Sequence, residues 1–241
     1  MTDAAEGTGT PPVAYQLIDG VAVVTIDDGK ANAITGQVLE DLHGALTRAE
    51  EEARAVVIAG REGRFSAGFD LATMTASVES MRTLVVDGAR LLMRLYGLGL
   101  PTVAACTGHA LAAGALVLLS SDHRVGADGP FKIGLNEVSI GMALPVFAVE
   151  LARERLAVSE FGPATLQARI YDPAGAVTAG YLDRVVPSDQ VLDQALADAL
   201  RLAELRSGAY ARTKSVARQA VISRILTTLD ADMATVAAPG A

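Results

Sequence analysis

A single cysteine, Cys106, stands in a chain of 241 residues, so no internal disulfide can form. The three histidines lie too far apart in sequence to suggest a metal site. Positive charge is also scarce: 20 basic residues against 28 acidic ones give a net charge of −8, and no basic cluster offers the phosphate contacts that a nucleic acid needs. An anionic ligand therefore depends on local cations or on backbone amides. The opening stretch MTDAAEGTGTPP has neither the basic region nor the apolar run of a signal peptide, which makes the cytoplasm the expected location. The chain has no repeat of fixed period and no low-complexity tract. Its small-residue ends, residues 1–12 and ATVAAPGA, are expected to fray.

Apolar residues are plentiful, at 51% against 20% charged, enough for a sizeable core. From Leu95 to Ser121 there is no formal charge, a run long enough to span a bilayer. Gly97, Gly99, Pro101, Gly108 and Gly114 break that run, so it reads as a buried strand, a tight turn and a buried helix, and no membrane span is expected. One carboxylate, Glu137 in FKIGLNEVSIGM, sits among apolar and small residues with no cation between Lys132 and Arg153. A charge in such surroundings is costly unless it is paired, hydrogen-bonded or kept neutral. Glu137 is therefore either a helix cap or an acid/base.

Around Asp19-Gly20 the chain alternates apolar and polar residues, predicting a β-hairpin. Thr35 is placed to cap a helix to about Ala53, AVVIAG from Ala55 reads as a buried strand, and GREGRFSAGFD reads as a loop. A helix from Ser77 to near Gly97, a strand at PTVAAC and a helix from about Ala112 follow. Strands alternating with helices predict an α/β layer fold with ligands at the strand ends. After Pro187 the pattern changes: Ser188 is placed to cap a helix, and residues to about Ala234 read as helical. The expected organisation is a core over 13–187 and a helical region over 188–241. Such a tail has too little core to fold alone, so it should pack on its own body or on a neighbouring subunit, and a homo-oligomer is expected.

Two small-residue turns, FSAGFDL and GHALAAG, lie where the chain leaves a strand. Both allow backbone N–H groups to approach a ligand, and the second opens a helix whose dipole favours negative charge. Two N–H groups aimed at one point make an oxyanion hole, while either turn taken alone is explained by tight strand-to-helix packing. GHALAAG lacks the Lys-Ser/Thr of a P-loop and the glycine spacing of a dinucleotide fingerprint.

Taken together, DDGKANAI, FSAGFDL, PTVAACTGHALAAGALVLLSSDHRVGA, IGLNEVSIGM and AGAVTAGYLDRVVP resemble, in order and along nearly the whole chain, the crotonase (enoyl-CoA hydratase/isomerase) superfamily. The resemblance implies an α/β fold of repeated ββα units, homotrimers or dimers of trimers built through C-terminal helices, and an acyl-coenzyme A thioester as substrate, with no metal or redox cofactor. It makes the amides of Ala67 and Ala113 the oxyanion donors. It lays the nucleotide and pantetheine along Lys30, Ala31, Ala33, Gly68 and Asp70. Lys214 resembles a tail lysine that meets coenzyme A phosphates; a solvated helix face is its alternative.

Family hydratases hold water between two glutamates, and the first of those positions is Leu116 here. Only Glu137 is kept. With Leu116 the chain is similar to mitochondrial 3-enoyl to 2-enoyl isomerases, in which the matching glutamate is the base and the residue matching Asn136 lies near the acyl group. It also resembles actinobacterial paralogues called enoyl-CoA hydratases. The expected activity is a double-bond shift, with hydration or non-catalytic acyl-CoA binding as alternatives. His109 reads as a packed or hydrogen-bonded turn residue, and His123 as a strand anchor with Asp122 and Arg124. Asp27-Asp28 reads as a solvated pair. Met74, Met81 and Met93 read as acyl-channel lining or, more ordinarily, as core fillers.

Overall fold

The computed structural model describes residues 11–235, so most of the expected frayed ends fall outside the described residues. The chain opens with an antiparallel hairpin of β1 (Val13–Ile18) and β2 (Val21–Ile26), in register from Val13 opposite Ile26 to Ile18 opposite Val21. Asp19 (φ 50°) and Gly20 (φ 82°) supply the two positive φ angles of its turn. Four ββα units follow. β2 continues into β3 (Ala33–Ile34) and α1 (Gly36–Glu52). β4 (Ala55–Gly60) leads to β5 (Gly63–Ser66), β6 (Gly68–Phe69), α2 (Leu71–Ala76) and α3 (Val78–Gly97). β7 (Thr102–Cys106) leads to β8 (Gly108–Leu111) and α4 (Ala113–Ser120). β9 (His123–Ala127) leads to β10 (Ile133–Gly134) and α5 (Val146–Arg155), then α6 (Val158–Thr165) and α7 (Pro173–Ala179). The chain ends with β11 (Arg184–Val186), α8 (Val191–Ala203) and α9 (Ser207–Thr235).

The first strand of every unit joins one six-stranded sheet, ordered β1-β2-β4-β7-β9-β11 and parallel from β2 onward. The second strands form a small parallel sheet, β10-β8-β5, and the pair β3-β6. This is the ββα repeat that the resemblance implies. The segment read as a loop, GREGRFSAGFD, carries β5 and β6, whose two to four residues are too short to show a period.

Both faces of the large sheet are covered, and the sequence shows why. In β4 every residue is buried: Val56 and Ile58 face the core shared with α1 and α3, and Ala55, Val57 and Ala59 face Val191, Ala195 and Ala199 of α8. The tail thus packs on its own body, α8 as the second cover of the sheet and α9 against α3 and α5. Thr35 Oγ1 accepts from Val38 N at 3.2 Å, so that expected cap forms, and α3 is capped by Ser77, whose Oγ accepts from Ser80 N at 3.0 Å. Ser188 does not cap α8; it begins a 3₁₀ turn, Ser188–Gln190, after Pro187, and the helical tail breaks between α8 and α9. The uncharged run is spent on β7 and on α4, which is buried all round. Among the described residues no helix is long and apolar enough to cross a membrane.

Candidate active site

Three short segments converge where second strands give way to helices. β10 lies parallel to β8, Gly134 opposite Leu111, and Gly134 O accepts from Ala112 N at 3.0 Å. The turn entering α4 is therefore tied to the strand that leads into Asn136 and Glu137. It also stacks on the turn between β5 and β6. A Cβ added to Gly68 (φ +100°) would lie 2.8 Å from Ala112 Cβ and 3.3 Å from Ala113 N, and one added to Gly114 would lie 2.5 Å from Ser66 O. Only glycine permits this approach. Ala112 itself is held at φ 50°, ψ −122°, unfavourable for a residue with a Cβ, so the turn that aims the N-terminus of α4 stores strain.

The amide of Ala113 is the first of α4, where a helix leaves its N–H groups without intrahelical acceptors. Ala67 N, the other expected oxyanion donor, already donates to Ala31 O at 3.0 Å, extending the parallel β3-β6 pairing of Ala33 with Gly68. An acyl oxygen must share or displace that carbonyl to use Ala67.

Glu137 opens the 3₁₀ turn Val138–Ile140, but its side chain caps nothing, which removes the helix-cap reading. The residue is 9% exposed, and its buried Oε2 has no hydrogen-bond partner. Burial pushes its pKa from the usual 4.5 to about 7, and only its own backbone N–H pulls the other way. Asn136 Oδ1 is also buried without a partner. Leu116 follows Ala113 in the same helix, 2% exposed, so α4 brings an apolar side chain where a second carboxylate is absent. The arrangement offers one proton acceptor poised near neutrality beside a helix N-terminus suited to negative charge.

The remaining candidates divide. Lys30 is exposed, and its carbonyl accepts from Arg61 Nε at 2.9 Å. Asp70 caps α2, accepting from Thr73 N at 2.8 Å and Thr73 Oγ1 at 2.7 Å, bonds that hold its carboxyl below the usual range. Lys214 fits neither a solvated face nor a free phosphate-binding cation. It is 7% exposed, with Nζ 2.7 Å from Asp122 Oδ2 and 3.1 Å from Leu100 O. Asp122, half-buried and accepting from Thr102 N at the start of β7, pairs with the cation there.

His109 is a hydrogen-bonded turn residue, its Nδ1 accepting from Lys132 N at 3.0 Å and its ring edge-on to Phe131. His123 anchors its strand through Asp183 and Asp198 instead of Asp122, and Arg124 grips Asp183. Asp28 is not simply solvated: it accepts from the amides of Lys30, Asn32 and Ala33 at 2.7, 2.9 and 3.0 Å. Met74, Met81 and Met93 are buried in the core.

Sequence reasoning missed Asn32. Fully buried at φ 53°, it donates through Nδ2 to Ile26 O at 2.7 Å and Arg64 O at 3.0 Å, and its carbonyl accepts from Ser66 Oγ at 2.8 Å. It thereby fixes the 30–33 loop to the 66–68 turn. The signal was present: an asparagine between two alanines after an Asp-Asp-Gly turn.

The family model described as enoyl-CoA hydratase/isomerase matches residues 17–239. The chain belongs to that family. Human mitochondrial enoyl-CoA delta isomerase 1 is 32% identical over 219 residues, 89% of this chain and 72% of its own. An enoyl-CoA hydratase/isomerase family protein from Pseudomonas syringae superposes with a TM-score of 0.88 at 42% identity, covering 92% of this chain and 95% of its own. A Mycobacterium tuberculosis protein superposes at 0.89 with 36% identity, covering 93% and 99%. That relative is called an enoyl-CoA isomerase in one structure and a probable enoyl-CoA hydratase in another. The chain is thus a crotonase-fold enzyme of the enoyl-CoA isomerase/hydratase kind.

Proposed function

We propose that this enzyme shifts the double bond of a 3-enoyl-CoA to give the 2-enoyl-CoA, with Glu137 as the single acid/base. The observation that carries the reading is the isolation of Glu137: one buried carboxylate with its pKa pushed to about 7, and Leu116 in the helix that would supply a partner. Hydration needs an attacking water held and activated at a defined point, which a lone carboxylate beside a leucine does poorly. A double-bond shift needs one base. Glu137 takes a proton from C2; that C–H pair becomes the C2–C3 double bond, and negative charge spreads onto the thioester oxygen. The C3–C4 π pair then takes the same proton back at C4, so substrate and product are isomers and no metal or redox cofactor is called for.

The Ala113 amide at the head of α4 is the first donor to the thioester oxygen, and Ala67 joins it once the acyl oxygen competes with Ala31 O. Loss of one such donor typically costs about 3 kcal/mol of barrier. Lys30, Ala31, Ala33, Gly68 and Asp70 are proposed to border the coenzyme A moiety, and Asn136 the acyl group. A homotrimer or a dimer of trimers completes the reading. The test is to incubate the purified protein with a 3-enoyl-CoA and separately with a 2-enoyl-CoA, and to identify products by chromatography and mass. A 2-enoyl product of unchanged mass is expected from the first. A product heavier by one water would favour the hydratase; no product from either would favour a non-catalytic binder. Leu116→Glu is expected to raise hydration relative to isomerisation, and an unchanged ratio in a folded variant would count against the role given to Leu116.

A further inference from the structure

The connections after β2, β4 and β7 leave neighbouring strands of the large sheet, and Arg61 ties the three together. Nothing in the reaction above uses this residue. Its carbonyl accepts from Thr107 Oγ1 at 2.8 Å and from Arg64 N at 3.0 Å, while Gly63 N donates to Thr107 O at 3.0 Å. The backbone around Arg61 is thereby fixed to the turn between β7 and β8. Its guanidinium reaches the connection after β2, where Nε donates to Lys30 O at 2.9 Å and Nη2 donates to the same oxygen. Two N–H groups of one planar fork on one carbonyl fix its direction as well as its distance. An ion pair does not account for the arrangement: Asp27, the carboxylate beside Arg61, is 3.9 Å from Nε and 56% exposed, a pair worth little in water.

The connection itself is ordered from residue 27 to residue 33. Asp27 Oδ1 accepts from Gly29 N at 2.9 Å, Asp28 takes the amides of Lys30, Asn32 and Ala33, and Asn32 Oδ1 accepts from Asp28 N at 3.1 Å. Both carboxylates are spent on amides of the loop. Two carbonyls are held from outside it, Ala31 O by Ala67 N and Lys30 O by Arg61. Lys30 itself is exposed, so its ammonium is open to an anion. We propose that Arg61 is a positioning residue for coenzyme A: by fixing the Lys30 carbonyl it sets the course of residues 30–33 and the point from which the Lys30 ammonium meets a phosphate of the nucleotide. The inference rests on the reading that these residues border the coenzyme A moiety. A loop ordered before binding spares the ligand the cost of ordering it, so loosening Lys30 weakens the hold on the nucleotide and leaves the reacting thioester alone.

Arg61→Met removes both donors from a side chain of similar reach. It is expected to raise KM for a 3-enoyl-CoA about fivefold or more, with kcat within about twofold of wild type. For the matching N-acetylcysteamine thioester, which has no nucleotide, kcat/KM should not change. An equal loss with both thioesters would mean a general distortion of the site and would overturn the inference. Arg61→Lys keeps the charge without the fork, and most of the loss should remain; a wild-type KM in that variant would reduce Arg61 to a charge near the phosphates and overturn its positioning role. Calorimetric titration with coenzyme A itself reads the same effect without turnover. A weaker Arg61→Met complex in a protein without isomerase activity would sink the proposed reaction and keep the role of Arg61. Wild type that does not bind coenzyme A would sink the placement of that ligand along residues 30–33, and the inference with it. Equal affinity in wild type and folded Arg61→Met would overturn the inference alone.

Discussion

Ionised Glu137 is the form the reaction needs and the form the fold disfavours. Its pKa is about 4.5 in the unfolded chain and about 7 when folded, so the folded state binds the proton more tightly. Stability from this group is fully present below pH 4.5 and is lost as pH rises to about 7, amounting to a penalty on the order of 3 kcal/mol above that window. Glu137→Gln, neutral at every pH, is therefore expected to melt above wild type at pH 8 and close to it at pH 4, as read by calorimetry. A variant melting below wild type at pH 8 would mean that the carboxylate has a partner in the folded protein. The isolation of Glu137 was legible from FKIGLNEVSIGM, because an absence of nearby cations is a property of the sequence. The occupation of the Ala67 amide by Ala31 was not. It depends on the register of a two-residue strand pair, which no periodicity announces.

At the scale of elements, α9 is held to the body by a polar cluster around Asp122 together with the apolar stripe Ile222, Ile225, Leu229 and Met233. Asp122 accepts from Lys214 at 2.7 Å, Arg218 at 2.6 Å, Tyr210 Oη at 2.6 Å and Thr102 N at 2.8 Å. Burial pulls its pKa up, and Lys214 and Arg218 outweigh that and hold it below the usual carboxylate range. Asp122→Asn leaves the buried Lys214 and the half-buried Arg218 without their counter-charge. It is expected to cost about 3–5 kcal/mol of unfolding free energy in denaturant titrations and to raise amide exchange in α9. A loss within the noise of the titration would show the cluster to be dispensable. Thr35 could be read as a cap because capping is local chemistry. The partners of Asp122 could not, since Lys214 and Arg218 lie more than ninety residues further on.

For the whole molecule, the α/β layer order followed from alternating strands and helices, and β4 announced its two buried faces by being apolar at every position. The tail's role as the second cover of the sheet was less accessible, because Val191, Ala195 and Ala199 fit any helix with an apolar face. Apolar side chains remain exposed in α9 and in the 3₁₀ turn after Glu137, among them Val216 at 66% and Ile140 at 54%. The proposed trimer or dimer of trimers would be expected to cover part of this surface. Sedimentation equilibrium is expected to give three or six copies, and a concentration-independent single copy would contradict that assembly.

The central claim is that one carboxylate moves the proton. Its most direct test is the turnover of a 3-enoyl-CoA by Glu137→Gln beside wild type, with folding and acyl-CoA affinity checked in the same preparations. The account expects wild type to isomerise and the variant to bind as tightly yet turn over several orders of magnitude more slowly. Equal rates in the two proteins would contradict it.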